Sequence, residues 1–194
     1  MAILKIARMG HPVLRKPAQP VADPTAPEVR RLVEDMFETM VNADGTGLAA
    51  PQVHVPLAVM IFYVAQDRED EEAEPTAPDL AGGEHAFAVP PTVLINPKWE
   101  PVGEEMETGV EGCLSVPDLI GEVPRYRAIR YQGLTPEGRE IVREAEGFHA
   151  RVVQHEFDHL EGILYPQRMT DLSTLVFTSE VGTGFSEEEA LRRY

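Results

Sequence analysis

The stretch Gln154-His155-Glu156-Phe157-Asp158-His159-Leu160-Glu161-Gly162 decides how the rest of the chain is read. Two histidines stand four residues apart, with a glutamate directly after the first. On an α-helix, positions i and i+4 share a face. Two imidazoles can then grip one metal ion, and Glu156 lies about 100° around the helix, beside a water on that ion. Such an arrangement suits hydrolysis of a carbonyl compound. The bland alternative is a surface helix with two chance histidines. The spacing predicts a helix from about Phe148 to Glu161, closed by Gly162 as a C′ glycine.

Upstream of this helix the chain reads mainly as strands. Two or three strands are expected over 99–108, 122–131 and 138–145, with a turn at Thr135-Pro136-Glu137-Gly138. Val93-Leu94-Ile95-Asn96 reads as a strand closed by Pro97, and the apolar run Leu57 to Val64 as a buried strand. Val29, Leu32, Val33, Met36, Phe37, Met40 and Val41 recur at three and four, an amphipathic helix opened near Pro27 and stopped by Asn42-Ala43-Asp44-Gly45. Residues 3–8 alternate loosely and read as a short strand, followed by a proline-held extended lead-in. The expected class is α+β: a single domain of mostly antiparallel strands around a central metal-binding helix, with an N-terminal amphipathic helix.

Two segments stand apart. Residues 67–74 carry six acids and one arginine, and with the prolines and glycines that follow, 66–88 reads as a mobile surface insertion. Its functional alternative is an acidic docking loop. Ser186-Glu187-Glu188-Glu189 reads as a capping box opening a short terminal helix. The catalytic unit is therefore expected over 1–170, including the insertion, with 171–194 as a C-terminal tail.

At 194 residues the chain is long enough for one well-buried domain. Its net charge of −16 disfavours nucleic acid through bulk electrostatics. The basic edge at Lys5, Arg8, Arg15 and Lys16 is read as locally solvated. No stretch approaches the roughly 18 apolar residues of a membrane span, and the start lacks the apolar run of a signal peptide. One cysteine, Cys113, excludes an intrachain disulfide. These features point to a reducing, cytoplasmic setting.

A catalytic zinc-type site needs three protein ligands and an open position. In common metalloproteases the third ligand follows the helix, but no histidine follows His159 here. Cys113, within Glu111-Gly112-Cys113-Leu114-Ser115-Val116-Pro117, is the alternative candidate, since a thiolate binds a dication strongly. A lone thiol is otherwise a small core hydrophobe. In Gly45-Thr46-Gly47-Leu48-Ala49-Ala50-Pro51-Gln52, small residues leave room for another chain, and Gln52 offers an amide donor for a developing oxyanion. The same segment also reads as a helix exit feeding a strand.

Together, and in this order, the segments at 45–52, 111–115 and 154–160 resemble peptide deformylases. The resemblance covers about 1–170. It implies a divalent metal held by Cys113, His155 and His159, commonly iron(II), with zinc, nickel or cobalt able to occupy the site. It implies removal of the formyl group from the N-terminal formyl-methionine of new polypeptides, with release of formate. Glu156 would serve as general base, and Gln52 and the Leu114 backbone N–H as oxyanion donors.

Phe148, Arg151 and Val152 fall near the metal face of the same helix, and Thr46 and Val110 hold the corresponding places in the other motifs, as candidates for a methionine pocket. Gly47 would pair with an extended peptide like an added strand. Val110-Glu111-Gly112 is one residue shorter than the common family version. Some members dock on the ribosome through a long basic C-terminal helix; residues 186–194 are short and mixed in charge, so that contact is not carried over. The partners expected are N-formyl-methionyl peptides, with no direct nucleic-acid or membrane contact and a monomeric state. A general metallopeptidase and an inactive relative that only binds peptide N-termini are the competing readings. Buried Asp158 needs a cation, for which Arg125 is the candidate.

Overall fold

The computed structural model describes residues 2–66 and 87–181. The body of the acidic insertion and the helix expected from Ser186 lie outside them. In chain order the principal elements are α1 (Pro27–Asn42), β1 (Gly47–Ala49), β2 (Val59–Ala65), β3 (Phe87–Pro101), β4 (Met106–Cys113), β5 (Val116–Tyr126), β6 (Ala128–Leu134), β7 (Glu140–Glu146), α2 (Gly147–Leu160) and β8 (Val176–Phe177). One antiparallel sheet has the order β1-β2-β3-β6-β7 and a second the order β4-β5-β8. The expected α+β architecture is the one observed.

The first sheet is covered on both faces because β2 is apolar at every position. Successive side chains of a strand point to opposite faces. Met60, Phe62 and Val64 accordingly join Ala150, Val153 and Leu160 of α2. Val59, Ile61 and Tyr63 join Val29, Val33, Met36 and Met40 of α1 on the other side. Each such side chain contributes roughly 1.5–3 kcal/mol relative to exposure. A smaller cluster of Val116, Val123, Leu164 and Tyr165 packs the second sheet, with Cys113 against it.

The structure corrects the sequence reading at several strands. Residues 3–8 form no strand. The segment's N–H groups donate to separate places, Leu4 to Thr39 Oγ1 (2.8 Å) and Ala7 to the Gln52 carbonyl (2.7 Å), and Met9 just beyond donates to that of Ser115 (2.7 Å), rather than forming a ladder. β3 does not stop at Pro97; a register shift between Ile95 and Lys98, with Asn96 at φ +52°, absorbs the missing donor as a bulge. The strand expected over 99–108 is instead the end of β3 and the start of β4. That expected over 122–131 is split between β5 and β6. β8 pairs with β5 through Leu119↔Phe177 and Ile120↔Val176. This carries the fold past residue 170, where the sequence reading drew the start of the tail.

α2 is buried on nearly every side, including His149, Arg151, Gln154, Glu156, Asp158 and His159. Every one of those polar groups needs a partner or a function. Gln154 is satisfied by a two-point bond to the Tyr126 backbone: its Oε1 accepts from N–H (3.0 Å) and its Nε2 donates to the carbonyl (2.8 Å). His149 Nε2 lies 3.1 Å from the Tyr131 hydroxyl. Burial, with the positive charge of Arg143 adding to it, lowers the His149 imidazole from 6.5 to about 4.

Between those two values the unfolded chain binds the proton that the folded chain refuses. Stability tied to His149 is therefore complete above pH 6.5 and lost as pH falls through 4. Thermal melts across this window should show a falling Tm in the wild type and a flatter profile in His149→Gln. Parallel profiles would show that His149 does not titrate with unfolding.

Candidate active site

Three pieces of backbone deliver the site. The first is α2, whose 3.6-residue period places His155 and His159 side by side, with ring centroids 5.1 Å apart. The second is the tight turn Leu114-Ser115 between β4 and β5, which holds Cys113 at the hairpin end, paired with Val116. The third is β1 with the following turn Ala50–Val53, which carries Gln52.

Cys113, His155 and His159 offer ligand atoms that all lie within 4.8 Å of one another. Cys113 Sγ is 3.3 Å from His159 Nε2. Two N–H donors aim at the sulfur, from Ser115 backbone at 3.4 Å and Gln52 Nε2 at 3.6 Å. Gln52 cannot rotate freely, because its Oε1 accepts from Ala49 N–H at 2.8 Å while Nε2 reaches Ser115 Oγ at 3.2 Å.

His155 is oriented by Glu111, whose Oε2 lies 2.8 Å from Nδ1. A carboxylate only accepts, so Nδ1 carries the proton and the Nε2 lone pair is left for a ligand. Burial alone would lower the His155 imidazole. The neighbouring Cys113 and Glu111 outweigh burial and raise it well above the ordinary value, so this spot favours positive charge, which an ion at Nε2 would supply in place of the proton there. His159 goes the other way: burial, then His155, lowers it, keeping a neutral ring. The donor set of one sulfur and two imidazoles, in surroundings that favour a cation, fits a divalent metal with an open position.

Glu111 is itself buried. Burial pushes its carboxyl up, but hydrogen bonds from Arg125 and His155 prevail and hold it well below the carboxylate range. Arg125 grips it with two bonds, Nε to Oε1 at 2.8 Å and Nη2 to Oε2 at 2.9 Å. The third nitrogen, Nη1, reaches Asp158 Oδ2 at 2.6 Å. Asp158 also receives Arg168, Nη2 to Oδ1 at 2.7 Å. The expected Arg125–Asp158 pair is present, as part of a larger network that the sequence reading missed. Glu111 stands two residues before Cys113 on one strand, so both side chains share a face. That spacing was the available signal. Nothing local marked Arg168.

Glu156 borders the cavity with Oε2 buried and without a partner among the described residues. Burial pushes its carboxyl up to about 7, where it can take and return a proton near neutrality. A Cβ on Gly47 would collide with the Glu156 carboxylate, so only a bare backbone fits there. The cavity has a volume of about 530 Å³ and is lined by Thr46, Gly47, Gln52, Val110, Cys113, Leu114, Phe148, Arg151, Val152, His155 and Glu156. The expected pocket residues are thus brought together. Arg151 borders the cavity, but its guanidinium is bound to Glu111 and to backbone carbonyls rather than bent to solvent. Thr178, beyond the expected domain boundary, also lines the cavity.

Comparison with known proteins bears on the family and the fold. The family model described as Polypeptide deformylase matches residues 3–174. Peptide deformylase 1 of Bordetella pertussis is 54% identical over 173 residues, covering 89% of this chain and 91% of that protein. Peptide deformylase 2 of Ralstonia nicotianae is 53% identical over 176 residues, covering 91% and 92%. Among solved structures, the Met-Ala-Ser-bound class I type b peptide deformylase from Acinetobacter baumannii superposes with a TM-score of 0.74 at 34% identity, over 87% of this chain and 99% of that one. Peptide deformylase from Thermotoga maritima superposes at 0.72 and 34%, over 88% and 100%.

Arg125 and Asp158 are both about 6% exposed, so their pair should behave as buried. Arg125→Ala is expected to cost about 3–5 kcal/mol, against about 0–1 for an exposed pair. A cycle with Asp158→Asn by chemical denaturation should give strong coupling, and additive effects below about 1 kcal/mol would rule out an energetic bridge.

Proposed function

The chain belongs to the polypeptide deformylase family, and we propose that its central cavity carries that family's reaction through Glu156, Gln52 and Leu114, with Cys113, His155 and His159 as metal ligands. The protein is a hydrolase that removes the formyl group from the N-terminal formyl-methionine of newly made polypeptides. The single observation that carries the residue assignment is the buried Glu156 carboxylate, unpartnered at Oε2 and set against the bare Gly47 backbone.

One thiolate and two imidazoles would hold the ion. A divalent ion held there supplies Lewis acidity toward the formyl oxygen and lowers the pKa of a coordinated water. Iron(II) is the native ion in this reading, and zinc, nickel or cobalt are ions that the same donors accept.

Glu156 takes a proton from the attacking water as the formyl carbon becomes tetrahedral. Gln52 Nε2 and the Leu114 backbone N–H donate to the oxyanion that develops, each worth about 3 kcal/mol of barrier. Gln52 is suited to this because Ala49 N–H holds its Oε1 in place, so that one Nε2 hydrogen need only pass from the Cys113 sulfur to the oxyanion. Glu156 then returns the proton to the leaving amine as the C–N bond breaks, and formate departs.

The peptide lies along the β1 edge at Gly47, and its methionine enters the space between Thr46, Val110, Phe148, Val152 and the aliphatic stem of Arg151. The structural relative from Acinetobacter baumannii is bound to Met-Ala-Ser, a peptide beginning with methionine, which supports a methionyl peptide as the ligand. The working unit is one domain, which the family match over 3–174 supports. We assign it a monomeric state in the cytoplasm; a ribosome contact is possible but draws no support from the mixed charge of residues 186–194. No helix among the described residues is long and apolar enough to cross a membrane.

Anaerobically purified protein, with its metal quantified, should cleave an N-formyl-methionyl peptide and leave the acetylated and free-amine peptides intact. Glu156→Gln should keep the metal and lose roughly 10²–10⁴-fold in kcat, since a carboxamide cannot accept the proton. Near-normal kcat at full metal occupancy would remove Glu156 from the mechanism. Cleavage of the free-amine peptide would instead indicate a general metallopeptidase.

A further inference from the structure

We infer that Arg151 is a positioning residue of the metal site: its guanidinium fastens the hairpin that carries Cys113 to the helix that carries His155 and His159, and so fixes the span between the sulfur and imidazole donors. Arg151 stands one helical turn before His155 and is 8% exposed. Its Nη1 donates to Val123 O at 2.8 Å on β5, and to Glu111 Oε1 at 3.0 Å and Gly109 O at 3.3 Å on β4. Its Nη2 donates to Glu107 O at 2.8 Å, also on β4. One side chain thus joins α2 to both strands of the hairpin.

Gln154 ties α2 to the backbone at the far end of β5, and Arg151 ties it to the backbone of both strands nearer the turn that holds Cys113. The hairpin belongs to the second sheet, whereas α2 packs its apolar face on the first. Arg125 holds the same Glu111 carboxylate, but its three nitrogens are spent on carboxylates, which sit on side chains that can swing. Arg151 grips strand backbone, which cannot. The strand is shaped for it: a Cβ at Gly109 would stand 2.8 Å from Nη2 and 2.9 Å from Cζ. A planar guanidinium reaches several carbonyls in fixed directions, and a lysine ammonium does not reproduce that fork. The polar end of Arg151 faces the hairpin, and only its stem is left to border the cavity, so its effect on substrate passes through the ligand frame.

This inference rests on the metal reading above. The test uses full-length wild type, Arg151→Met, Arg151→Lys and Gly109→Ala, each loaded anaerobically with cobalt(II). Three quantities are read: the rate of cobalt loss to a chelator, the sulfur-to-cobalt absorption band, and kcat and KM for an N-formyl-methionyl peptide. Arg151→Met should lose cobalt about 10–100-fold faster than wild type, the range seen when a supporting partner of a ligand is removed. Its band should shift, and kcat should fall while KM stays within about twofold.

Arg151→Lys should not restore the band. Gly109→Ala, which crowds the guanidinium without replacing it, should move all readouts the same way, and it decides the matter if Arg151→Met does not fold. Wild-type cobalt loss and spectrum in the variants overturn the inference, as does a raised KM with an unchanged band, which would make Arg151 a substrate contact. Wild type that takes up no cobalt overturns the metal reading itself.

Discussion

A buried carboxylate must be paired, and the pairing of Glu111 organises this molecule. Three cationic or donor groups converge on it: Arg125, Arg151 and His155. Removing one partner from such a cluster leaves an uncompensated charge in a medium where water cannot help, so the cluster stands or falls together. Arg125 and Asp158 extend it along α2 to Arg168, whose side chain is 45% exposed. The network therefore runs from the surface, through the second sheet, to the imidazole that faces the cavity. Fold stability and ligand orientation are the same set of hydrogen bonds.

Around that frame the chemistry is arranged by subtraction as much as by placement. Gly47 leaves the space that the Glu156 carboxylate fills, and Gly45 leaves space for the Leu114 side chain, 2.8 Å from where a Cβ would be. Gln52 and Ser115 crowd the sulfur with donors. Tyr165 stacks on His155 with an interplanar angle of 23° and closes the back of the ring. Glu156 is left as the one α2 carboxylate on the cavity with an unpartnered oxygen, which is why the reaction's proton traffic falls to it.

What was legible in the sequence follows from which forces are local. Helix α1 and helix α2 announced themselves through apolar or ligand spacing, because a helix fixes i, i+3 and i+4 without reference to the rest of the fold. The site motifs were legible as three short ordered segments with a family resemblance, although the contacts that demand their residues are long-range, Gly47 against Glu156 and Cys113 against His159. The strands were harder. The extension of β3 through Pro97 depends on a bulge against β6, and the segment at 3–8 is held by bonds to Thr39 and Gln52, partners distant in the sequence. The network showed the same limit. Arg125 and Asp158 could be matched by elimination, Glu111 was marked only by its spacing from Cys113, and Arg168 entered the network through tertiary geometry alone. Arg151 was placed on the correct helix face, while the direction of its guanidinium depended on a hairpin that the sequence reading did not draw.

The central claim is that this frame presents one sulfur and two imidazole nitrogens to a single ion. X-ray absorption at the metal edge of zinc-loaded, full-length protein reads that directly. The account predicts one sulfur neighbour at about 2.3 Å and two imidazole nitrogens at about 2.0–2.1 Å, with an oxygen completing the tetrahedron. A first shell of nitrogen and oxygen alone, with no sulfur scattering, would remove Cys113 from the site and contradict the account.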